Sequence, residues 1–194
     1  MKAFVLAEPG KVKWFDAPEP QLVPYGAILK PVAVTPCSSD VHTVFGGGSK
    51  KQDNLVLGHE CIAEVVSVGE NVCDFKTGDR VAVPAITPDW REKSIQEGND
   101  RHASAPFSGH QLGRTQPGVF SERFLIKDAD TTLAHIPQKI SEEQALMSVD
   151  VVTTGFTGAE YADIKIGDTV CVIGIGPIGL MAVAGAKLRG AARI

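Results

Sequence analysis

The segment from Asp168 to Arg189 constrains this chain most. Asp168–Ile173 is a short apolar run bounded by turn residues, the pattern of a strand buried in a parallel sheet. Gly174-Ile175-Gly176-Pro177-Ile178-Gly179 follows at once and fits G-x-G-x-x-G. From Pro177 onward, Ile178, Met181, Ala182, Gly185 and Leu188 recur at helical spacing. Glycines at such a turn let the strand reverse sharply, let the backbone approach a pyrophosphate, and let helix and strand pack closely. The helix N-terminus then offers free N–H groups and partial positive charge to the phosphates. Glycine-rich turns are common, so the pattern by itself is weak. A strand before it and a helix after it make dinucleotide binding the better reading. Gly174, Gly176, Pro177, Ile178 and Gly179 are the expected cofactor contacts.

The region up to about residue 140 follows a different grammar. Lys2–Ala7 and Lys11–Phe15 flank a Pro9-Gly10 turn and predict a hairpin. Further strands are expected at Ala27–Val34, Cys61–Val68, Asp79–Val83 and Val119–Ile126. Many short strands in a chain with 20 glycines and 12 prolines suggest a barrel-like β domain. Thr87–Gly118 interrupts the pattern with a polar, poorly periodic stretch, expected to be a surface lobe or lid, or a disordered insertion. Ser141-Glu142-Glu143-Gln144 then has the capping-box form, so a helix should begin there, with a second over Gly155–Tyr161.

A net charge of −4 without any Lys/Arg cluster argues against a nucleic-acid partner. The N-terminus is too short in apolar residues for a signal peptide, and no run approaches the ~20 needed to span a bilayer. The expectation is a cytoplasmic protein with no membrane partner, whose four cysteines stay reduced.

Three polar groups fall at strand or helix edges: Cys37 to His42, the pair His59-Glu60, and Asp150. A thiolate, an imidazole and a carboxylate can hold zinc with one tetrahedral position open. Spacing alone does not establish such a site. In isolation Cys37 is more often a small buried hydrophobe, and Asp150 more often a helix cap or solvated group.

Cys37-Ser38-Ser39-Asp40-Val41-His42, Gly58-His59-Glu60, Gly78-Asp79-Arg80-Val81 and Gly174–Gly179 occur here in one order and spacing. In this the chain resembles the zinc-dependent medium-chain alcohol dehydrogenases. Asp150-Val151-Val152-Thr153-Thr154-Gly155-Phe156 and Pro84-Ala85-Ile86-Thr87-Pro88-Asp89-Trp90 resemble the microbial secondary alcohol dehydrogenase branch. The resemblance implies an α/β protein: a GroES-like, β-barrel-type catalytic domain over residues 1–150, then the truncated start of a Rossmann domain over 151–194. It implies one catalytic zinc on Cys37, His59 and Asp150, with Glu60 as an adjacent carboxylate. A structural zinc is not expected, because Thr87–Gly118, where the family carries its cysteine quartet, contains no cysteine.

The same resemblance implies zinc-assisted hydride transfer between a small secondary alcohol or ketone and NAD(P). Ser39 and His42 would relay the proton, Thr154 would join the cofactor contacts, and Ala85, Ile86 and His110 would line the substrate pocket. His110 stands where the branch usually carries tryptophan, and a lone loop histidine is more often a solvated surface group. Ser39 and Asp40 can equally cap the helical turn after Cys37, and His102 and His135 read as surface residues. NADP is expected ahead of NAD, although the discriminating position, ~20 residues past the glycines, lies beyond Ile194. The whole enzyme is expected to be a homo-oligomer of roughly 350 residues per chain, of which this sequence is an N-terminal portion inactive on its own. Alternatives are a zinc polyol or amino-alcohol dehydrogenase of the same fold, a non-catalytic zinc-binding piece, and, less well matched, a zinc-free quinone reductase.

Overall fold

The computed structural model describes residues 1–46, 54–89, 91–98 and 109–194. The chain divides into two compact units, Met1–Leu146 and Met147–Ile194.

In the first unit, strands β1 (Lys2–Glu8) and β2 (Lys11–Asp16) pair antiparallel around the Pro9-Gly10 turn, as the sequence predicts. Strand β3 (Ala27–Thr35) leads into helix α1 (Ser38–Phe45). The short β4 (Leu55–Val56) adds to β1, and then come β5 (Glu60–Val68) and β6 (Arg80–Val83). Helix α2 (Lys93–Gln96), β7 (Phe124–Ile126), α3 (Ala129–Thr132), β8 (Ala134–His135) and α4 (Glu142–Met147) follow. The sheets run β2-β1-β4 and β7-β3-β5-β6-β8, every pairing antiparallel. The expected barrel-like domain takes the form of two sheets with an isolated bridge between Ala3 and Ser121, and the described pairings do not close them into one barrel.

The central strands carry the core. Leu29, Val65, Val81, Val83, Phe124 and Ile126 pack together with almost no exposure, each side chain contributing about 1.5–3 kcal/mol by leaving water. In β5, which lies between β3 and β6, the consecutive residues Glu60 to Ala63 are all buried, so both faces of the strand are covered there. Pro31, which cannot donate to a ladder, falls at the bulge between Pro31 and Ala33.

Two expectations for this unit need correction. The strand expected over Val119–Ile126 is confined to Phe124–Ile126. Before it, the N–H groups of Gly118, Val119 and Phe120 bond to the carbonyls of Val56, Gly58 and Leu57, so this stretch folds onto the segment leading into β5. The Thr87–Gly118 stretch is not wholly a surface lobe, because Ile95 and Leu112 are buried and Leu112 joins the main core. His102 and Trp90 lie outside the described residues. At the end of the unit the Ser141 capping box forms as predicted. The Gln144 amide donates to Ser141 Oγ at 3.3 Å, and the Ser141 amide donates to Gln144 Oε1 at 3.0 Å.

In the second unit a π-helical turn, Ser148–Val152, runs directly into α5 (Thr153–Tyr161), and α6 (Pro177–Leu188) packs against α5. Small residues set this crossing. A Cβ on Gly155 would lie 2.5 Å from Met181 Cβ, and one on Gly185 would lie 3.0 Å from Ala159 Cβ. The buried residues of α6 are Gly179, Gly185 and Ala186, with Met181 and Ala182 half-buried, while the expected face members Ile178 and Leu188 are exposed. Asp168–Ile173 was expected to be a buried parallel strand. Only one parallel bridge forms, Thr169 to Arg193, and Ile173 is 95% exposed. A strand needs hydrogen-bonded neighbours on its edges, and here Ala192 and Arg193 supply one short stretch, bonding to the Asp168 carbonyl and the Val170 amide. Cys171, expected in that strand, is likewise exposed.

Candidate metal centre

Strand register builds the site. In the β3–β5 pair Thr35 lies opposite Glu60. The residues just past β3 and just before β5 therefore emerge together at one end of the sheet, which places Cys37 beside His59 although 21 positions separate them in the sequence. Cys37 Sγ, a ring nitrogen of His59 and a carboxylate oxygen of Glu60 lie within 4.8 Å of one another. His59 and Glu60 are each 2% exposed and Cys37 is half-buried. A soft thiolate, an imidazole and a carboxylate at this separation suit zinc better than calcium or magnesium, which prefer oxygen alone.

Asp40 sets the geometry of the whole arrangement. Its Oδ2 accepts the Cys37 amide at 2.9 Å, its Oδ1 accepts the Gly58 amide at 3.2 Å, and Oδ1 lies 3.3 Å from His59 Nδ1. One buried carboxylate thus ties the Cys37 loop to the His59 loop and occupies one nitrogen of the imidazole. The other nitrogen, Nε2, lies 3.3 Å from Ser39 Oγ and 3.9 Å from Glu60 Oε1. A histidine held through Nδ1 by a carboxylate is the usual support for a metal-ligating Nε2. Burial pushes the Asp40 carboxyl up, but the His59 hydrogen bond, the Cys37 amide, the His59 charge and the Gly58 amide together outweigh it. The group is held below its ordinary carboxylate value.

In the sequence Asp40 reads only as a cap for the turn after Cys37. Its position three residues beyond Cys37 signals that role, whereas the reach to His59 depends on the β3–β5 pairing. Gly58 belongs to the same arrangement. It sits at φ +90°, and a Cβ there would come within 2.5 Å of the Phe120 ring.

Ser39 and His42 lie three residues apart on α1, hence on neighbouring positions of one helix face, with Ser39 half-buried and His42 exposed. Ala85 is buried and Ile86 is partly exposed. His110 is not a solvated loop residue. It is half-buried and packs edge-on against the His59 ring, with centroids 4.6 Å apart and planes at 65°. His135 is exposed, as expected, and stacks on Phe75. All four cysteines are free. Burial drives the Cys61 thiol up to about 12, so it stays protonated and is no competitor as a ligand.

In the second unit Asp150 lies on the π-helical turn, half-buried, and its Oδ1 accepts the Thr154 hydroxyl at 2.6 Å. Gly174 adopts φ +91°, a Cβ on Gly179 would collide with the Gly174 carbonyl, and a Cβ on Gly176 would meet open space. Pro177 occupies the first turn of α6, where its missing N–H costs nothing. The turn therefore reverses tightly at Gly174 and leaves its backbone uncovered at Gly176.

The family model described as the alcohol dehydrogenase GroES-like domain matches residues 24–138, more than half of the chain. The chain belongs to this family. Among dehydrogenase relatives, the NADP-dependent isopropanol dehydrogenase of Thermoanaerobacter brockii is 54% identical over all 194 residues, which cover 55% of that protein. That of Clostridium beijerinckii is 49% identical over the same span, again 55% of its length. Among solved structures, a zinc-dependent alcohol dehydrogenase from Streptococcus pneumonia superposes on 99% of the chain with a TM-score of 0.88 at 30% identity, covering 54% of its own length. The chain spans about half the length of the relatives it matches. No helix among the described residues is long and apolar enough to cross a membrane.

Proposed function

We propose that this chain supplies the zinc-binding part of an NADP-dependent oxidoreductase that interconverts small secondary alcohols and ketones. The observation that carries this reading is the convergence of Cys37, His59 and Glu60 at one sheet end, in a member of an alcohol dehydrogenase family. The relatives named for NADP and isopropanol support the cofactor and the substrate class. Residues 1–150 act as the catalytic domain and 151–194 as the beginning of a Rossmann domain.

Cys37 and His59 hold the metal. Asp150 completes the set, its geometry steadied by the Thr154 hydroxyl, and Glu60 serves as a nearby carboxylate. Bound zinc supplies Lewis-acid chemistry that eases loss of the alcohol proton, and the nicotinamide supplies the hydride acceptor. Ser39 stands beside the ligating edge of His59 and passes the substrate proton outward to His42, which is exposed and can hand it to water. Ala85, Ile86 and His110 bound the alcohol side. Gly174, Gly176, Pro177, Ile178, Gly179 and Thr154 contact the dinucleotide. The assembled enzyme is a homo-oligomer.

The Rossmann portion described here offers one helix after the glycine turn and one bridge in place of a sheet. The 194 residues alone are therefore expected to bind zinc but to hold NADP poorly and to turn over nothing. Three measurements test this: zinc content after purification, titration with NADP, and propan-2-ol oxidation. One zinc per chain that is lost in Cys37→Ala and Asp150→Ala is the expected result. Zinc retained in full by both variants would overturn the ligand assignment, and sustained turnover by the 194 residues would overturn the expected inactivity.

A further inference from the structure

We propose that His110 is a positioning residue that fixes the imidazole of His59 by ring packing; this rests on the reading of His59 as a metal ligand. Asp40 Oδ1 at 3.3 Å from Nδ1 and Ser39 Oγ at 3.3 Å from Nε2 hold the two nitrogens of the His59 ring, but neither contact bears on the plane of the ring, and χ2 of histidine is a broad torsion. A tilt of the ring about the line joining the nitrogens changes the direction in which Nε2 presents its lone pair to Cys37 and Glu60. The His110 ring, edge-on at 4.6 Å between centroids, is in place to oppose that tilt. Edge-to-face packing is the favoured aromatic arrangement at this separation.

The His110 ring is itself held in place. On one side of it, the Gly109 carbonyl accepts the Thr87 amide at 2.8 Å, and a Cβ on Gly109 would press on Ile86 and Pro88 at 3.1 Å. On the other side, the Gln111 carbonyl accepts the amides of Arg114, Thr115 and Gln116, and Leu112 is anchored in the core. A backbone pinned at 109, 111 and 112 leaves the ring between them little room to move. His59 is thus clamped by a carboxylate at one nitrogen and by an aromatic wall across the ring, with Nε2 left directed at the ligand cluster. The element required of residue 110 in this role is a flat ring rather than a polar group.

The test is cobalt(II) binding to the apo-protein, read by the thiolate-to-cobalt charge-transfer band and the d–d bands, in unsubstituted protein, His110→Ala, His110→Asn and His110→Phe. Loss of an outer-shell support for a metal ligand typically costs ~10–100-fold in affinity. We expect His110→Ala and His110→Asn to weaken cobalt binding by about tenfold or more and to alter the d–d bands, and His110→Phe to restore both. Far-UV circular dichroism confirms that each variant is folded, and His110→Phe keeps the comparison decisive if the Ala variant does not fold. Equal affinity and identical spectra in all four proteins would overturn the proposal. So would retention by Asn with loss by Phe, which would assign the residue a polar role. A missing thiolate band in the unsubstituted protein would overturn the metal reading itself, and this proposal with it.

Discussion

Replacing Asp40 should damage both the stability and the metal affinity of this protein, by an amount that follows from its contacts. Asp40 is 7% exposed and serves two backbone amides and the His59 imidazole. Truncation to alanine strands three buried donors, each worth about 1–3 kcal/mol if left without an acceptor. These losses share one cavity and do not add in full. The expected destabilisation is therefore about 3–5 kcal/mol. At about 2–4 °C per kcal/mol for a chain of this size, the apo-protein should melt roughly 6–20 °C lower. Asp40→Asn keeps one carbonyl acceptor but loses the charge, so its cost should be about half as large. Zinc or cobalt affinity should fall about 10–100-fold in either variant, because Nδ1 of His59 loses its carboxylate.

The pH dependence has a definite sign. The Asp40 carboxyl is held below its ordinary value of 3.8, so the folded state binds that proton less readily than the unfolded one. Its stabilisation is complete above that ordinary value and is lost as pH falls below it through the folded value. Urea unfolding of the apo-protein at several pH values, for wild type and both variants, measures all of this. A wild-type advantage over Asp40→Asn that is constant down to about pH 5 and then shrinks on further acidification is the expected pattern. An Asp40→Ala protein within about 1 kcal/mol of wild type, binding metal equally well, would refute the view that this carboxylate joins the two ligand loops.

Gly58→Ala should be costly because the residue combines φ +90° with a Cβ position 2.5 Å from the Phe120 ring; we expect a loss of about 2–4 kcal/mol in denaturant unfolding together with weaker metal binding. Gly155→Ala should force α5 and α6 apart, costing about 1–3 kcal/mol, and hydrogen exchange in α6 should accelerate while that in β5 stays unchanged. Ser39→Ala in the whole enzyme should lower the rate by roughly 10²–10⁴ if its hydroxyl carries the proton, with zinc content intact; an unchanged pH–rate profile would show that water serves instead.

Local chemistry was legible from residues close together in the chain. The hairpin around Pro9-Gly10, the capping box at Ser141 and the strands beginning at Ala27, Cys61 and Asp79 are encoded by alternation and turn residues over a few positions, and they form almost where expected. The motif residues Cys37, His59 and Glu60 were likewise visible as chemically apt types, and the resemblance grouped them. What the sequence could not reveal is the set of contacts made across strands. Asp40 becomes the support of His59 only because β3 and β5 pair with Thr35 opposite Glu60, a register fixed by which faces are buried. His110 turns from a loop residue into a wall for His59 only after the 109–116 turn is tied to Thr87 and the core. The reverse holds for Asp168–Ile173, whose apolar pattern announces a buried strand. A strand is stabilised by its neighbours rather than by its own residues, and with one bridging partner among the described residues Cys171 and Ile173 stay in water while Val170 is half-buried against Ala159, Ile164 and Ala186.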